Sequence, residues 1–446
     1  MADADLLGAR TRLGLTGHGT LQERLAKGGA RLSQRNGWVW VQVATMNWKR
    51  LRTPDLSQGA GPAAVVEAAL VVPPPPAAPR HATMPAGILR PDGRFVHESV
   101  TWQHRTALNR RPPRPDGDLA RLPGIWMFMG PLIPHFGHFI VESIARLGAL
   151  DLLDRQIDGL VFIPRHNTRS GQALARYEPV LRLLGVRHRV LNLAKPTQVE
   201  TLLIPPQGLG LGPMIAGSPE LRRFVRAQAG RTIAARGAPR IYISRSRLGP
   251  DYQSILGEEV LEGLLRAEGY DIYHPQEHPI EDQIAAYKAA THVIALDGSP
   301  LHLLALVGHA GQKVAVIARR EGHRDLDFVT QIRSFLGAEA QDHYHLRRQW
   351  QVSVSRDGNP RTWGEADFPA LCASLREAGM ISARSSWPEL PASLIERQIR
   401  QIETIKGVSL RPGPRAARSG QAVRRPSPHV LRLERIVHRL SGLLRG

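Results

Sequence analysis

The sequence predicts an α/β protein with two Rossmann-like, doubly wound domains that face each other across a cleft. Three observations support this prediction. The chain has 446 residues, which is more than one average domain. Buried-strand patterns alternate with helical patterns from about residue 124. The same alternation begins again at residue 240, so we expect two successive parallel sheets.

The first predicted domain begins with the buried strand "IWMFM". A helix over 135–153 should follow it, and the later elements alternate in the same way. Further strands are expected at 159–164 and 201–206, and further helices at 171–185 and 218–237, the last one long and basic.

The second predicted domain repeats the pattern with shorter connections. Its strands are expected at 240–245, 270–274, 292–297 and 313–318, and its helices at 256–269, 280–290 and 299–308. Strands that alternate with helices of this length are typical of parallel sheets.

The remaining sequence sets the domain boundaries. Residues 1–120 are predicted to be a small β-containing N-terminal region with Pro-rich linkers, such as "VVPPPPAAPR" at 71–80, which no helix could contain. The first domain then covers 121–235, the second covers 236–405, and a basic tail covers 406–446. The tail begins as a disordered Pro- and Arg-rich stretch and ends in a basic amphipathic helix. That helix would suit an anionic membrane surface, or would dock onto the protein's own core or a partner.

Composition narrows the class of protein. Apolar residues make up 42% of the chain, which excludes global disorder. The one cysteine, Cys372, cannot form an intrachain disulfide and is expected to be a buried, inert thiol. No apolar run approaches the roughly 18 residues of a membrane span, and the N-terminus lacks a signal core. We therefore expect a cytoplasmic protein with, at most, peripheral contact to the cell membrane.

The net charge of +20 calls for negatively charged partners: nucleic acid, anionic lipid or phosphorylated substrates. The residues from Arg411 to the end carry +8 of this charge. The rest is spread over the chain, and aromatic residues are only 5% of it. This is not the pattern of a nucleic-acid-binding stripe with interleaved aromatics.

Polar side chains at three strand ends of the second domain suggest a phosphate site. The strand at 240–245 ends in Ser244 and Arg245 and is followed by Ser246 and Arg247. The strand at 292–297 ends in Asp297 and is followed by Gly298 and Ser299, and the strand at 313–318 is followed by Arg319 and Arg320. Ligands of doubly wound sheets bind beyond these ends. Arginines and a Gly-Ser-Pro helix start could hold a nucleotide diphosphate. Alternatively, the arginines are solvated loop residues and the helix start is an ordinary cap.

His138 and Glu142, four residues apart, share a helix face at the end of the first domain's opening strand. Either could take a proton from an acceptor hydroxyl. The alternative is that His138 caps the helix and Glu142 pairs with Arg146. His135, His138 and Glu142 do not match the HExxH spacing of a metal site, and we predict no metal or other cofactor. There is no GxxxxGK[ST] phosphate loop.

Two segments resemble glycosyltransferase family 61, which includes bacterial capsular polysaccharide biosynthesis proteins. "HFIVESIARL" is similar to its "HWLLEVLPRL"-type segment, and the stretch from "IYISRSRL" to "DGSPLHLLALV" is similar to its second signature. The resemblance implies a GT-B fold, a nucleotide-sugar donor in the C-terminal domain, and inverting transfer without an essential metal. Within it, His138, Glu142 and Arg146 match the first motif, and we predict that His138 or Glu142 is the catalytic base. The predicted substrate-binding residues are Arg146, Arg245, Arg247, Glu258, Gln283, Asp297, Gly298, Ser299, His302 and Arg319.

The chain departs from the family pattern where Gly257 replaces an Asn, and where Asp297, Pro300 and Leu303 replace a His, a Gly and an Asn.

The sequence leaves three hypotheses for the function of the protein. The first is a glycosyltransferase that acts on a capsular or other surface glycan, with a glycan or lipid-linked acceptor. The second is a non-catalytic GT-B-like scaffold or glycan-binding protein, and the third is nucleic-acid binding through the tail.

Overall fold

A computed structural model of the chain describes residues 30–35, 38–43, 56, 63–75, 83–153, 156–165, 170–249, 252–320, 327–352 and 362–413. The chain divides into two compact units, Met1–Arg52 and Thr53–Gly446. In the first unit, β1 (Ala30–Arg35) pairs antiparallel with β2 (Trp38–Val43).

The first half of the second unit is built on a six-stranded sheet. The strands of residues 64–204 are β3 (Ala64–Val72), β4 (Met84–Pro85), β5 (Gly87–Leu89), β6 (Trp102–Gln103), β7 (Thr106–Ala107), β8 (Asn109–Arg110), β9 (Ala120–Leu132), β10 (Gly159–Pro164), β11 (Arg189–Asn192) and β12 (Thr197–Ile204). The sheet has the order β11-β10-β9-β12-β3-β5. Its first four strands are parallel, and β3 and β5 run antiparallel at one edge. The sheet thus includes strands from both sides of the predicted boundary at residue 120.

The helices of this half are shorter than the sequence predicts. They are α1 (Phe136–His138), α2 (Ser170–Leu183) and α3 (Pro219–Gln228), with 3-10 turns at His97–Ser99, Leu147–Leu152 and Gly212–Met214. The single helix expected over 135–153 is instead α1, a π-helical turn over Phe139–Ser143 and a 3-10 turn. The helix expected over 218–237 ends at Gln228, because Ala229 is extended and Gly230 has a left-handed φ of 58°.

The second half contains a five-stranded, fully parallel sheet. Its elements are β13 (Arg240–Ile243), β14 (Ile255–Leu256), α4 (Glu258–Ala267), β15 (Asp271–Tyr273), α5 (Ile280–Ala289), β16 (His292–Leu296), α6 (Pro300–Val307), β17 (Lys313–Ile317), α7 (Phe328–Leu336) and β18 (Glu339–His343), with 3-10 turns at Ser246–Leu248 and Pro275–Glu277. The strand order is β15-β13-β16-β17-β18, and β14 lies outside this sheet. The predicted α/β class with parallel sheets is confirmed.

A third sheet, which the sequence analysis did not anticipate, follows the second. It is formed by β19 (Leu346–Val352), β20 (Thr362–Ala366) and β21 (Leu410–Pro412), and the helices α8 (Phe368–Glu377) and α9 (Ala392–Lys406) accompany it. Its order is β14-β20-β19-β21, so β14 of the second half supplies one edge. Residues 410–412, placed in the tail by the predicted division, belong to this sheet. The predicted amphipathic helix of the tail lies outside the described residues.

One buried apolar cluster spans both halves. It joins Phe139 and Leu147 of the first half to Leu304 and Phe335 of the second. The two halves therefore share a core. Cys372 is buried in α8, as expected, with its Sγ 3.4 Å from the carbonyl oxygen of Ser385. Within the described ranges, no helix has the length and apolar character needed to span a bilayer.

A pair of glycines in and beside α4 provides a test of the local fold. Gly257 precedes α4 with φ 77°, and a Cβ there would lie 2.4 Å from Cδ1 of Leu390. We expect Gly257→Ala to lower the free energy of unfolding by about 2 kcal/mol, since left-handed strain and a steric clash add.

Gly263→Ala is the matched control, because Gly263 lies within α4 and a Cβ there meets nothing within 4 Å. It should raise the free energy of unfolding by about 1 kcal/mol through helix propensity. Urea unfolding measures both changes. Equal effects of the two substitutions would contradict the described conformation of Gly257.

Candidate active site

The strand order of the second sheet locates a crevice. In chain order the strands run 2-1-3-4-5, so the direction of winding reverses between β13 and β16. Ligands of doubly wound sheets bind at the carboxyl ends of the strands at this point. Arg245 follows β13, and Gly298 and Ser299 follow β16. The topology therefore places these predicted site residues around one crevice.

The side chain of Arg245 reaches across this crevice. A Cβ added to Gly298 would lie only 2.7 Å from Nη1 of Arg245, so a glycine is required for the guanidinium to approach the backbone. Nε of Arg245 and Nη1 of Arg319 each donate to the carbonyl oxygen of Gln253, at 3.3 Å. Burial, followed by the charge of Arg319, lowers the pKa of Arg245 to about 10, which leaves it cationic at neutral pH.

Asp297 forms a buried ion pair with Arg319. Its Oδ1 lies 2.5 Å from Nε of Arg319, and the two residues are 0% and 8% exposed. The carboxylate is therefore already paired within the protein. Besides Arg319, the charges that act on Arg245 are those of Arg320 and of the carboxylates of Glu258 and Asp297.

Glu258 is buried next to Arg245 and holds the backbone of that residue through a hydrogen bond. It is 4% exposed, and its Oε1 accepts from the backbone N–H of Arg245 at 2.7 Å and from the Tyr242 hydroxyl at 3.1 Å. Its Oε2 accepts a short bond from Ser254. Burial raises the pKa of the Glu258 carboxyl, and these hydrogen bonds oppose the increase. In this structure the side chain of Glu258 is thus bonded within the protein, and its predicted contact with substrate stays a prediction.

The start of α6 offers fewer donors than the sequence suggests. The backbone N–H groups of Leu301 and His302 donate to the carbonyl oxygens of Gly298 and Ser299, at 3.0 and 3.1 Å. Pro300 has no N–H. The N–H groups of Leu301 and His302 are therefore used within the protein.

His138 and Glu142 lie beyond the carboxyl end of β9 and are hydrogen-bonded to each other. Nδ1 of His138 is 3.2 Å from Oε2 of Glu142, and the two side chains are 35% and 0% exposed. Nε2 of Gln103, which the sequence analysis did not identify, lies 2.9 Å from the same Nδ1. Burial raises the pKa of Glu142, while the bond to His138 opposes the rise. His135, not His138, occupies the position before α1, and its side chain makes no capping bond.

The two halves meet at the starts of α1 and α6. A Cβ on Gly137 would lie 2.6 Å from Oγ of Ser299 and 3.5 Å from Cδ2 of His302. His302 is 4% exposed, and its Nδ1 lies 2.6 Å from Oε1 of Gln331. Burial, reinforced by the nearby His138 and His135, lowers the pKa of His302 to about 4, although the Gln331 contact opposes it. A neutral imidazole thus lies at this junction at neutral pH.

Arg146 is a structural residue, in contrast to its predicted contact with substrate. Its five N–H groups donate to Pro205 O, Thr101 Oγ1, Met129 O, Glu98 O and Val100 O, at 2.8 to 3.3 Å. The side chain has no donor left for a ligand or for Glu142. Burial lowers its pKa to about 9, so it remains charged at neutral pH.

Two further predicted site residues lie apart from the crevice contacts. Arg247 is exposed and pairs with Glu277, Nη1 to Oε2 at 2.9 Å. Nε2 of Gln283 donates to the carbonyl oxygens of Pro275 and His278, at 2.7 and 3.0 Å, so its amide protons are used within the protein. Across the part of the chain that the structure describes, no group of three or more His, Cys, Asp or Glu side chains could hold a metal ion.

The Glycosyltransferase 61 family model matches residues 136–315. This span runs from α1 into β17 and includes His138, Glu142, Arg245 and the Asp297–Ser299 turn. It ends before Arg319 and excludes Gln103. No curated protein matches the chain. The resemblance drawn from the sequence segments is confirmed at the level of the family.

The Gly137–Ser299 contact yields a test of the junction. Gly137→Ala should disturb it, because the new methyl group overlaps Oγ and Cβ of Ser299. We expect a loss of about 1–2 kcal/mol in the free energy of unfolding, the usual cost of overpacking. Urea denaturation measures this loss.

Ser299→Gly in the same chain should relieve the overlap, so the double-mutant cycle should show a favourable coupling of about 1 kcal/mol. Additive effects of the two substitutions would mean that the helix starts do not touch in solution.

Proposed function

We propose that this chain, whose residues 136–315 match the Glycosyltransferase 61 family model, is a glycosyltransferase that transfers a sugar from a nucleotide-sugar donor to a capsular or other surface polysaccharide. In this proposal the two halves act as the facing domains of a GT-B-like enzyme. The donor diphosphate lies against Arg245 and Gly298, and the acceptor lies beside His138. Transfer is inverting and uses no essential metal, as the family resemblance implies.

The observation that carries the proposal is the contact between the two helix starts. Gly137 is directly next to His138, and its Cα faces Ser299. Arg245 lies against Gly298, the residue before Ser299. A cation suited to a diphosphate and an imidazole suited to a hydroxyl therefore stand on adjoining elements. The family match favours this enzyme over a non-catalytic scaffold.

We assign the role of base to His138 rather than Glu142. Glu142 is fully buried and cannot touch an acceptor, whereas a third of the His138 side chain is exposed. The Glu142 carboxylate can accept from both Nδ1–H of His138 and the amide N–H of Gln103, and in this proposal it accepts from both, so Nδ1 carries the proton. The lone pair of the ring then lies on Nε2, which accepts the proton of the acceptor hydroxyl.

The proposed reaction then proceeds in one displacement. The acceptor hydroxyl oxygen attacks the anomeric carbon and its proton passes to Nε2 of His138. The bond from that carbon to the diphosphate oxygen breaks, and its electron pair stays on the phosphate. Arg245 stabilises the growing negative charge, and Glu142 stabilises the imidazolium that forms.

The proposal predicts that substitution of the base, His138, mainly lowers kcat, and that substitution of the diphosphate ligand, Arg245, mainly weakens donor binding. His138→Ala should lower kcat by about 10²- to 10⁴-fold, the usual contribution of a general base. Arg245→Ala should weaken donor binding by at least about tenfold, as expected for a charged contact to phosphate. Transfer and hydrolysis assays with a panel of nucleotide sugars measure the first effect, and calorimetry measures the second.

Arg247→Ala is the matched control for Arg245, because Arg247 is exposed and pairs with Glu277. It should leave both quantities close to those of the wild-type protein. If no nucleotide sugar in the panel binds, the proposed function is wrong. If Arg247→Ala weakens binding as much as Arg245→Ala, the assignment of the diphosphate site is wrong.

We also propose a cytoplasmic protein that contacts the inner face of the cell membrane through its tail. The support is the charge of +8 that the sequence carries from Arg411 to Gly446. A basic segment of this kind is attracted to anionic lipid by about 1 kcal/mol per Lys or Arg near the surface. A lipid-linked acceptor would be presented there.

Co-sedimentation with vesicles tests this proposal. The full chain should bind vesicles that contain an anionic lipid, and a chain ending at Gly413 should bind them at least about tenfold less well. Vesicles of neutral lipid serve as the control. Equal binding by the truncated chain would contradict the proposal. Tail-dependent binding to DNA that exceeds binding to the vesicles would favour the nucleic-acid hypothesis instead.

A further inference from the structure

The loop that carries Arg245 is attached to the third sheet. After β13 the chain passes Arg245 and enters β14 directly after Gln253 and Ser254. The carbonyl oxygen of Ser254 accepts from the backbone N–H of Gly364, at 3.1 Å, and β14 then pairs parallel with β20. The backbone of the C-terminal segment therefore holds the outer side of this loop.

A second attachment lies at the end of the same loop. The backbone N–H of Gly257 donates to Oε1 of Gln398, at 2.7 Å, and Gln398 lies on α9. Leu390, just before α9, fills the space where a Cβ of Gly257 would lie. Side chains from the C-terminal segment thus fix Gly257 in its left-handed conformation.

These contacts lead directly to Arg245. Glu258 follows Gly257 and accepts the backbone N–H of Arg245, at 2.7 Å. The carbonyl oxygen of Gln253, two residues before β14, accepts from Nε of Arg245. A shift of Gly257 would therefore move Glu258 and, with it, the backbone from which the guanidinium projects.

We infer that Gln398 is a positioning residue for Arg245, and that the described residues of the C-terminal segment, 346–352 and 362–412, form part of the donor site rather than a separate appendage. The inference rests on the proposed function, since it assumes that Arg245 binds the donor diphosphate. It extends the site beyond the span 136–315 that the family model matches.

Inorganic pyrophosphate serves as the probe, because it contains the shared part of any nucleotide-diphosphate donor. Calorimetry should show that Gln398→Ala weakens pyrophosphate binding about fivefold, the effect expected for one lost hydrogen bond. Gln398→Glu should restore the affinity, since a carboxylate oxygen can also accept from Gly257. Gln401→Ala, an exposed glutamine on the same helix, is the matched control and should bind as the wild type does.

Hydrogen exchange separates positioning from a general loss of stability. In Gln398→Ala the amides of 252–257 should exchange faster than in Gln401→Ala, while the amides of β16 and β17 should not. Should Gln398→Ala fail to fold, Gln398→Asn is the second variant, because its shorter amide falls short of Gly257 but keeps the helix polar.

The possible outcomes distinguish a failure of the inference from a failure of the proposed function. Weaker binding with faster local exchange, restored by Gln398→Glu, supports the inference. Wild-type affinity in Gln398→Ala or Gln398→Asn overturns it and leaves the proposed function standing. A wild-type protein that binds no pyrophosphate would overturn the diphosphate site itself, and the inference with it.

Discussion

The close approach of two helix starts, α1 and α6, is the constraint on which the rest of the structure depends. It requires a residue without a side chain at Gly137, because Ser299 and His302 occupy the space beside it. It also fixes the separation between the ends of β9 and β16, from which the polar side chains of both halves project. The small residues Gly137 and Ser299 let the two helix starts approach this closely, and the positions of the charged side chains depend on that approach.

Several charged groups next to this junction are buried, which is costly unless each has partners. Arg146 donates hydrogen bonds to five acceptors, which offset the cost of its burial. Glu258 accepts hydrogen bonds from Arg245, Tyr242 and Ser254, which have the same effect. Asp297 and Arg319 pair with each other. Removing one member of such a set usually costs more than the set contributes, because the partner is left buried and unpaired. The same groups that shape the site therefore make it intolerant of change.

The sequence was most informative where a rule connects position to topology. Arg245 and Gly298 could be placed together in advance because both follow strands of one parallel sheet, and such strand ends meet at one edge. The α/β class and most strand positions follow from the alternation of buried-strand and helical patterns for a similar reason.

The roles of Arg146 and Gln103 could not be inferred in this way. The acceptors of Arg146 come from five positions between Glu98 and Pro205, and only the folded chain brings them together. Gln103 lies 35 residues before His138, in a strand of two residues that no periodicity reveals. The π-helical turn at Phe139–Ser143 is also invisible to a search for helical spacing, because its side chains are all buried and apolar apart from Glu142 and Ser143. These failures concern tertiary partners, which one-dimensional patterns do not encode.

The core that the two halves share limits how the molecule can move. Domains joined only by a linker can swing apart as rigid bodies, since little apolar surface is uncovered when they do. Here a swing would expose Phe139, Leu147, Leu304 and Phe335 together, at roughly 25 cal/mol for each square ångström of apolar surface brought into contact with water. Entry and exit of small molecules must then rely on segments above the shared core rather than on a wide hinge.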